Sequence, residues 1–173
     1  MSTLHSQEVC GLRLSGSSLA SGGNDNRLFI YDTRKMRIPV HRLTHHRAAV
    51  KALAWSPTNP RLLLSGGGTA DKTIKMWDTG LSEPLLRSID SGSQVCGLHW
   101  CKDNQVISTH GYSQNDARIS SQSSLRPRVS FQSHRNRVIH FAVSEDEKYF
   151  VTGSSDNILN FWEIKNENKK FFR

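Results

Sequence analysis

Histidine, serine or threonine, aspartate and an aromatic residue recur in this chain at a nearly fixed spacing, and side chains of these types can carry chemistry. They occur together within residues 5–31, 46–77 and 134–162. The second of these segments also contains the glycine-rich stretch SGGGTAD at residues 65–71. Such histidines act as bases, as metal ligands or as structural hydrogen-bonding groups, and a glycine-rich loop can hold a phosphate.

The glycine-rich stretch lacks two features of a phosphate-binding loop. Such a loop has a lysine after its last glycine, whereas Thr69 follows Gly68 here. A phosphate-binding loop also leads into a helix, but the next segment, TIKMWD at residues 73–78, reads as a strand. We predict instead a strand-to-loop transition whose glycines provide unusual φ and ψ angles and close backbone approach.

The sequence shows no nucleophile elbow, no pair of carboxylates at catalytic spacing and no Cys/His cluster. We therefore predict a protein that is not an enzyme. It should have no catalytic residue, no metal-binding residue, no cofactor and no small-molecule substrate.

The chain repeats itself four times. A small polar segment precedes a valine, and an apolar or aromatic residue follows five positions later, in the pairs Val9/Leu14, Val50/Trp55, Val95/Trp100 and Val138/Val143. The valines lie 41, 45 and 43 residues apart, a period typical of the blades of WD-type propellers. The segments between them are short, rich in β-branched and aromatic residues, and bounded by turn residues. We predict an all-β WD40 β-propeller with about four blades.

We predict that the recurring polar residues form a hydrogen-bonded relay in three of the repeats. The histidine can reach a loop aspartate and a strand hydroxyl, and this hydroxyl can reach the aromatic residue, so each buried polar group has a partner. The members are His5, Ser21, Asp25 and Tyr31, then His46, Ser65, Asp71 and Trp77, then His134, Thr152, Asp156 and Trp162. Their recurrence at one place in each repeat favours this structural role over a catalytic or ligand role.

The third repeat departs from this pattern. Ser91 stands where the histidine is expected, and residues 117–124, ARISSQSS, replace a strand that should end in tryptophan. We predict a weaker or irregular third strand in this blade. The alternative is a blade that is stable without a relay.

Composition limits the class of protein. The 173 residues suffice for one domain, and they contain neither an apolar stretch of membrane-spanning length nor a visible signal peptide. An odd count of 3 cysteines without metal-ligand spacing suits a reducing compartment. The net charge of +8 is spread along the chain, which favours a generally basic surface over a nucleic-acid site. We expect an intracellular protein with no membrane partner.

Six loop sequences carry a more specific resemblance. They are EVCGL (8–12), ASGGNDN (20–26), AAVKALAWSP (48–57), SGGGTAD (65–71), DSGSQVC (90–96) and STHGYSQN (108–115). Together they resemble the fizzy/fizzy-related family, the WD-repeat co-activators of the anaphase-promoting complex/cyclosome, and more closely its fizzy-related branch. We assign residues 1–164 to WD40 repeats, with repeats near 5–32, 46–78, 91–120 and 134–164, and residues 165–173 to a C-terminal tail.

The resemblance implies a seven-bladed propeller, of which these four blades look like the last four. It also implies recognition of short degrons, the KEN box and the destruction box. Carried over position by position, the KEN-reading residues are Asn26, Thr69, Gln94 and Arg137, which we expect at equivalent places in successive blades. Arg137 can pair with the glutamate of a Lys-Glu-Asn peptide, and the other three offer neutral donors and acceptors. The structural alternative is that Asn26 and Thr69 only form turns.

The family ends in Ile-Arg, which docks on the ligase, and the corresponding residues here are Phe172 and Arg173. The resemblance thus implies a substrate-recognition adaptor and activator of the anaphase-promoting complex. Its partners would be subunits of that complex and KEN-box substrates such as cyclins, and its location would be the nucleus and cytoplasm. The alternatives are a generic WD40 scaffold in a chromatin or RNA assembly and a non-functional truncated fragment.

Overall fold

The computed structural model describes residues 4–132 and 134–164, which form four antiparallel sheets. The sheets consist of β1 (Val9–Ser15), β2 (Ser18–Gly23), β3 (Leu28–Asp32) and β4 (His41–Leu43); β5 (Val50–Trp55), β6 (Leu62–Gly67), β7 (Thr73–Asp78) and β8 (Leu85–Asp90); β9 (Val95–Trp100), β10 (Gln105–His110), β11 (Ala117–Ser121) and β12 (Pro127–Phe131); and β13 (Val138–Val143), β14 (Tyr149–Ser154) and β15 (Leu159–Glu163).

Each sheet is one blade of a propeller. The first strands β1, β5, β9 and β13 lie side by side in chain order, and each blade extends outward from them. The prediction of an all-β WD40 propeller with four blades is therefore confirmed. Within the part of the chain that the structure describes, no helix is long and apolar enough to cross a membrane.

The hydrophobic core lies between neighbouring blades. One cluster joins the first and second blades through Val50, Leu63 and Trp77, each fully buried. A second cluster joins the second and third blades, and a third joins the third and fourth through Ile107 and Phe150. Each blade thus uses the face of the next blade to remove its apolar side chains from water.

Glycines of the SGGG stretch have no left-handed conformation, so the prediction of unusual φ and ψ angles is wrong: the glycines with positive φ are Gly16 and Gly92. The prediction of close approach agrees with the packing. A Cβ on Gly66 would collide with the side chain of Val95 in the next blade, and Gly22 stands in the same relation to Val50. The Ser-Gly pair therefore combines a relay hydroxyl with a contact between blades.

The third blade corrects a second prediction. Strand β11 pairs with β10 without interruption from Ala117 to Ser121, and it also pairs with β12, with one register shift. It is therefore an ordinary strand and not a weak one. Its stability follows from the burial of Ala117, Ile119 and Ser120 and from a different set of polar contacts, described below.

The two outermost blades expose apolar side chains. Leu12 and Leu14 of β1 are 64% and 62% exposed, and Phe161 of β15 is 78% exposed. In the inner blades the corresponding faces are covered by a neighbour. The fourth strands β4, β8 and β12 lie beyond the C-terminal ends of the first three repeats, as their bounds were predicted from the sequence.

Candidate functional site

One face of the propeller carries all four residues that the resemblance assigns to degron binding. We call this face the upper rim and define it by residues 24–27, 68–72, 91–94, 111–116 and 134–137. Hydrogen bonds join these loops from blade to blade: Ser91 Oγ donates to Lys72 O at 2.7 Å, and Asn115 Nδ2 donates to Arg135 O at 3.1 Å. The loops therefore form a continuous surface across the second, third and fourth blades.

Gln94 and Arg137 come together on this rim around Gly111. Gln94 Oε1 lies 2.6 Å, and Arg137 Cβ 3.3 Å, from the place that a Cβ on Gly111 would occupy. The backbone of Gly111 also donates to Gln94 O at 2.9 Å. The Gln94 carboxamide and the Cβ of the exposed Arg137 thus both lie next to Gly111, at the junction of the third and fourth blades.

Lys51 is a rim-side residue that sequence reasoning missed. It is exposed and is the second residue of β5, at the repeat position that Cys10 and Cys96 occupy in their own blades. Burial raises the pKa of the Cys96 thiol, while Lys51 and Arg137 act in the opposite direction. Both cations therefore act on the same point of β9, beside Gln94. The signal in the sequence that could have identified Lys51 is its place directly after the repeat valine, Val50.

Asn26 and Thr69 lie on the rim in the first and second blades, in the β2–β3 and β6–β7 loops. Gln94 and Arg137 instead precede the first strands of their blades, so the expectation of equivalent places is wrong. Asn26 has a φ of 64°, a conformation that asparagine tolerates better than most residues, and Lys72 and Asn157 repeat this turn after their relay aspartates. Turn geometry alone accounts for Asn26, whereas Thr69 is exposed.

The relay of the second blade is fully buried. His46 Nδ1 donates to Asp71, Ser65 Oγ donates to His46 Nε2 at 2.7 Å, and Trp77 Nε1 donates to Ser65 Oγ at 2.7 Å. Burial lowers the pKa of His46 against the opposing effect of Asp71. Burial alone would raise the pKa of Asp71, but the hydrogen bond from His46 holds it below its usual value. The pair is therefore a neutral imidazole and a carboxylate.

The first and fourth blades repeat this geometry. His5 bridges Asp25 and Ser21 at 2.9 Å each, and Ser21 also hydrogen-bonds the Tyr31 hydroxyl. In the fourth blade His134 lies 2.8 Å from Thr152 Oγ1 and 3.3 Å from Asp156, and Trp162 donates to Thr152 at 3.0 Å. Every polar side chain of these sets has a partner within the set, which is the arrangement of a structural network.

The third blade uses an arginine in place of the relay. Arg118 Nε donates to Asp116 Oδ2 at 2.7 Å, and Arg118 Nη1 donates to Ser91 O at 2.7 Å. Beside them, the buried His110 hydrogen-bonds Ser108 through Nε2 at 2.8 Å. Burial, together with the charge of Arg118, lowers the pKa of His110 to about 3. The guanidinium thus joins the loop aspartate to the segment that elsewhere supplies the histidine.

The predicted ligase-docking residues Phe172 and Arg173 lie outside the described residues, and their role stays a prediction. On the described upper rim the arrangement offers hydrogen-bond donors, acceptors and positive charge on an open surface. These features suit the binding of an extended peptide that contains a carboxylate.

Comparison with known proteins agrees with this fold. Residues 37–78 and 125–163 match the family model described as "WD domain, G-beta repeat". The chain is 46% identical over 163 residues to Protein FIZZY-RELATED 3 of Arabidopsis thaliana, covering 92% of this chain and 34% of that protein. It is 43% identical to the anaphase-promoting complex subunit cdc20 of Dictyostelium discoideum, covering 95% of this chain and 34% of that protein.

A solved structure gives the same picture. A chain in the crystal structure of a Mitotic Checkpoint Complex superposes with a TM-score of 0.87 at 42% identity, over 94% of this chain and 51% of that one. The chain spans about a third of the length of the curated relatives above. It is therefore a WD40-repeat protein and, over most of its length, a homologue of the Fizzy-related and cdc20 proteins.

Proposed function

We propose that this chain forms part of a substrate-recognition adaptor and activator of the anaphase-promoting complex, and that its upper rim binds KEN-type degrons. The observation that supports this most is that Gln94 and Arg137 both lie next to Gly111, at the junction between the third and fourth blades. The relatives named as Fizzy-related proteins and as a subunit of that complex support the same proposal.

The chemistry of the rim suits a Lys-Glu-Asn peptide. Arg137 donates to the glutamate carboxylate in a charge-assisted hydrogen bond, and Lys51 adds positive charge on the neighbouring strand. Gln94 pairs its carboxamide with that of the asparagine, since each amide offers both a donor and an acceptor. Thr69 supplies a further hydroxyl from the second blade. An exposed rim also leaves the flanking peptide solvated, as short degrons within flexible segments require.

Binding of a labelled KEN peptide to the full chain, followed by fluorescence anisotropy, tests the proposal. The reference is the same peptide with Lys-Glu-Asn replaced by alanine. Arg137→Ala should weaken binding about tenfold or more, because a hydrogen bond to a charged group contributes roughly 1.5–3 kcal/mol. Arg135→Ala is the matched control, since it removes the same exposed charge two residues away in the same loop and should weaken binding at most slightly.

The proposal fails if the KEN and alanine peptides bind equally, or if Arg135→Ala and Arg137→Ala have the same effect. Equal effects would indicate that only the net charge of +8 matters. In that case salt-sensitive binding to RNA or DNA would favour the scaffold alternative. A chain that folds but binds neither peptide nor nucleic acid would favour the non-functional fragment.

The same proposal extends to partners and location. We propose that Phe172 and Arg173 dock on the ligase and that the protein occurs in the nucleus and cytoplasm. Deleting these two residues should reduce co-purification with the complex without changing KEN-peptide affinity. A parallel loss of both would show that the deletion acts on the fold, and unchanged co-purification would contradict tail docking.

A further inference from the structure

A second cluster of functional side chains lies on the face opposite the upper rim, at the lower end of the junction between the third and fourth blades. It consists of His99 and Cys101 at the end of β9 and of Glu147 in the β13–β14 turn. One ligand atom from each residue lies within 4.8 Å of the other two. His99 Nε2 and Glu147 Oε1 are 3.5 Å apart, and Cys101 is 1% exposed.

The internal repeat shows that these side chains are departures from the blade pattern. Aligned on the repeat valines, the place of Cys101 is taken by Ser15, Ser56 and Ser144 in the other three blades. The place of His99 is taken by Arg13, Ala54 and Ala142. A blade therefore forms without a thiol or an imidazole at these places, and the architecture alone does not account for them.

Glu147 departs from the pattern through its backbone. The turn between the first and second strands has a left-handed residue in the first, third and fourth blades, with φ values of 54° at Gly16, 66° at Asn104 and 54° at Glu147. Glycine and asparagine adopt this conformation readily, whereas glutamate does not. Glu147 Oε2 accepts a hydrogen bond from Lys102 N at 2.9 Å, which leaves Oε1 directed to His99.

Nε2 of His99 faces the cluster, and its approach to Glu147 Oε1 at 3.5 Å is long for a hydrogen bond. This atom is buried and makes no hydrogen bond within the described part of the chain. An imidazole nitrogen removed from water without a hydrogen bond loses free energy. A cation placed among His99, Cys101 and Glu147 would give this nitrogen a partner.

We propose that His99, Cys101 and Glu147 bind one zinc ion. Imidazole, thiolate and carboxylate are the three protein ligands that zinc uses, at about 2.0–2.3 Å from the metal. Tetrahedral geometry then places ligand atoms roughly 3.3–3.7 Å apart, the separation that His99 and Glu147 already have. The thiolate selects against magnesium and calcium, which prefer oxygen ligands.

The fourth coordination position faces a cleft. His99 and Glu147 line a cleft of about 480 Å³ together with Leu12, Trp55 and Trp100. The fourth ligand is thus water or a small molecule from this cleft. The zinc ion ties the end of β9 in the third blade to a turn of the fourth blade, because its protein ligands come from both.

Zinc and cobalt titrations of the reduced, metal-stripped full chain test this proposal. We expect one zinc ion per chain, measured by elemental analysis after gel filtration. Cobalt should give a thiolate-to-metal charge-transfer band in the near ultraviolet. Cys101→Ser should abolish this band and weaken zinc binding at least about 100-fold, more than the loss of an outer hydrogen-bond partner of a ligand usually does. The variant should fold, since serine occupies this place in the other blades.

Cys96→Ser is the matched control, because Cys96 lies on the same strand and should leave the cobalt spectrum unchanged. Glu147→Gly gives a second readout: it removes a ligand and relieves the left-handed glutamate. In this variant zinc should no longer raise the melting temperature.

Three results would overturn the proposal. They are the absence of stoichiometric zinc, a charge-transfer band that persists in Cys101→Ser, and a zinc-dependent melting temperature that Glu147→Gly leaves intact. Loss of the band in Cys96→Ser alone would also contradict it, because the metal would then lie at the other end of β9.

Discussion

Acidification should destabilise this protein through His110. This histidine is the last residue of β10 and is fully buried. Its Nε2 hydrogen-bonds Ser108 Oγ at 2.8 Å. The positive charge of Arg118 lies nearby, and Arg118 itself is held by Asp116. A proton on His110 would thus place a second positive charge next to a guanidinium in a site that excludes water.

The magnitude follows from the difference between the folded and unfolded states. The pKa of His110 is lowered to about 3 from 6.5, so between these values the unfolded chain binds more protons than the folded chain. Stability that is complete above pH 6.5 is therefore lost as the pH falls. For this histidine alone, the free energy of unfolding should decrease by about 2 kcal/mol between pH 7.5 and pH 5. A typical domain has a total of roughly 5–15 kcal/mol.

Urea unfolding followed by tryptophan fluorescence at both pH values measures this loss. His110→Gln is the informative variant, because its amide can still hydrogen-bond Ser108 but does not titrate. Burial also lowers the pKa of His46, so part of the acid sensitivity should remain in the variant. The contribution of His110 is the difference between the two losses. An equal loss of stability in both proteins would refute the reasoning.

Three further perturbations have definite expected outcomes. Ser65→Ala leaves Trp77 Nε1 and His46 without their shared hydrogen-bond partner. The free energy of unfolding, measured in urea, should fall by roughly 1–3 kcal/mol for each unsatisfied group. The control Ser130→Ala changes an exposed serine and should alter this free energy by less than about 0.5 kcal/mol. Gly66→Ala should cost about 1–3 kcal/mol by overpacking, and Val95→Ala should relieve part of it in a double-mutant cycle; strict additivity would contradict the contact between blades. Arg118→Met should cost about 3–5 kcal/mol by leaving the buried Asp116 uncompensated, and adding Asp116→Asn should recover much of this loss.

The relay residues and the order of the blades could be read from the sequence because both are set by local spacing. In three blades a strand, a turn and a second strand place the hydroxyl, the aspartate and the aromatic residue at nearly fixed separations, so the pattern repeats with the fold. The fourth strands were harder to see. The segment HRL at 41–43 has only three residues, and PRVSF at 127–131 is mostly exposed, so neither shows a clear pattern of burial.

The third blade could not be predicted because its polar network uses different chemistry. Arg118 reaches from β11 to Asp116 and to the backbone of Ser91. Thus one guanidinium satisfies both the loop and the segment before β9. A search for histidine and tryptophan fails here, because a guanidinium makes the contacts that the relay makes in the other blades. Asp116 also follows a longer loop, which moves it out of the repeat spacing.

The two proposed sites lie at opposite ends of β9 and should act independently. This strand runs from Val95, next to Gln94 on the upper rim, to Trp100, next to Cys101. Six residues of strand span about 20 Å, which exceeds the Debye length of about 8 Å at physiological ionic strength. The charge of a zinc ion at the lower end is therefore screened from a peptide on the rim. Cys101→Ser should leave KEN-peptide affinity unchanged, and Arg137→Ala should leave zinc affinity unchanged. A loss of both activities in either variant would instead indicate that the strand itself had been displaced.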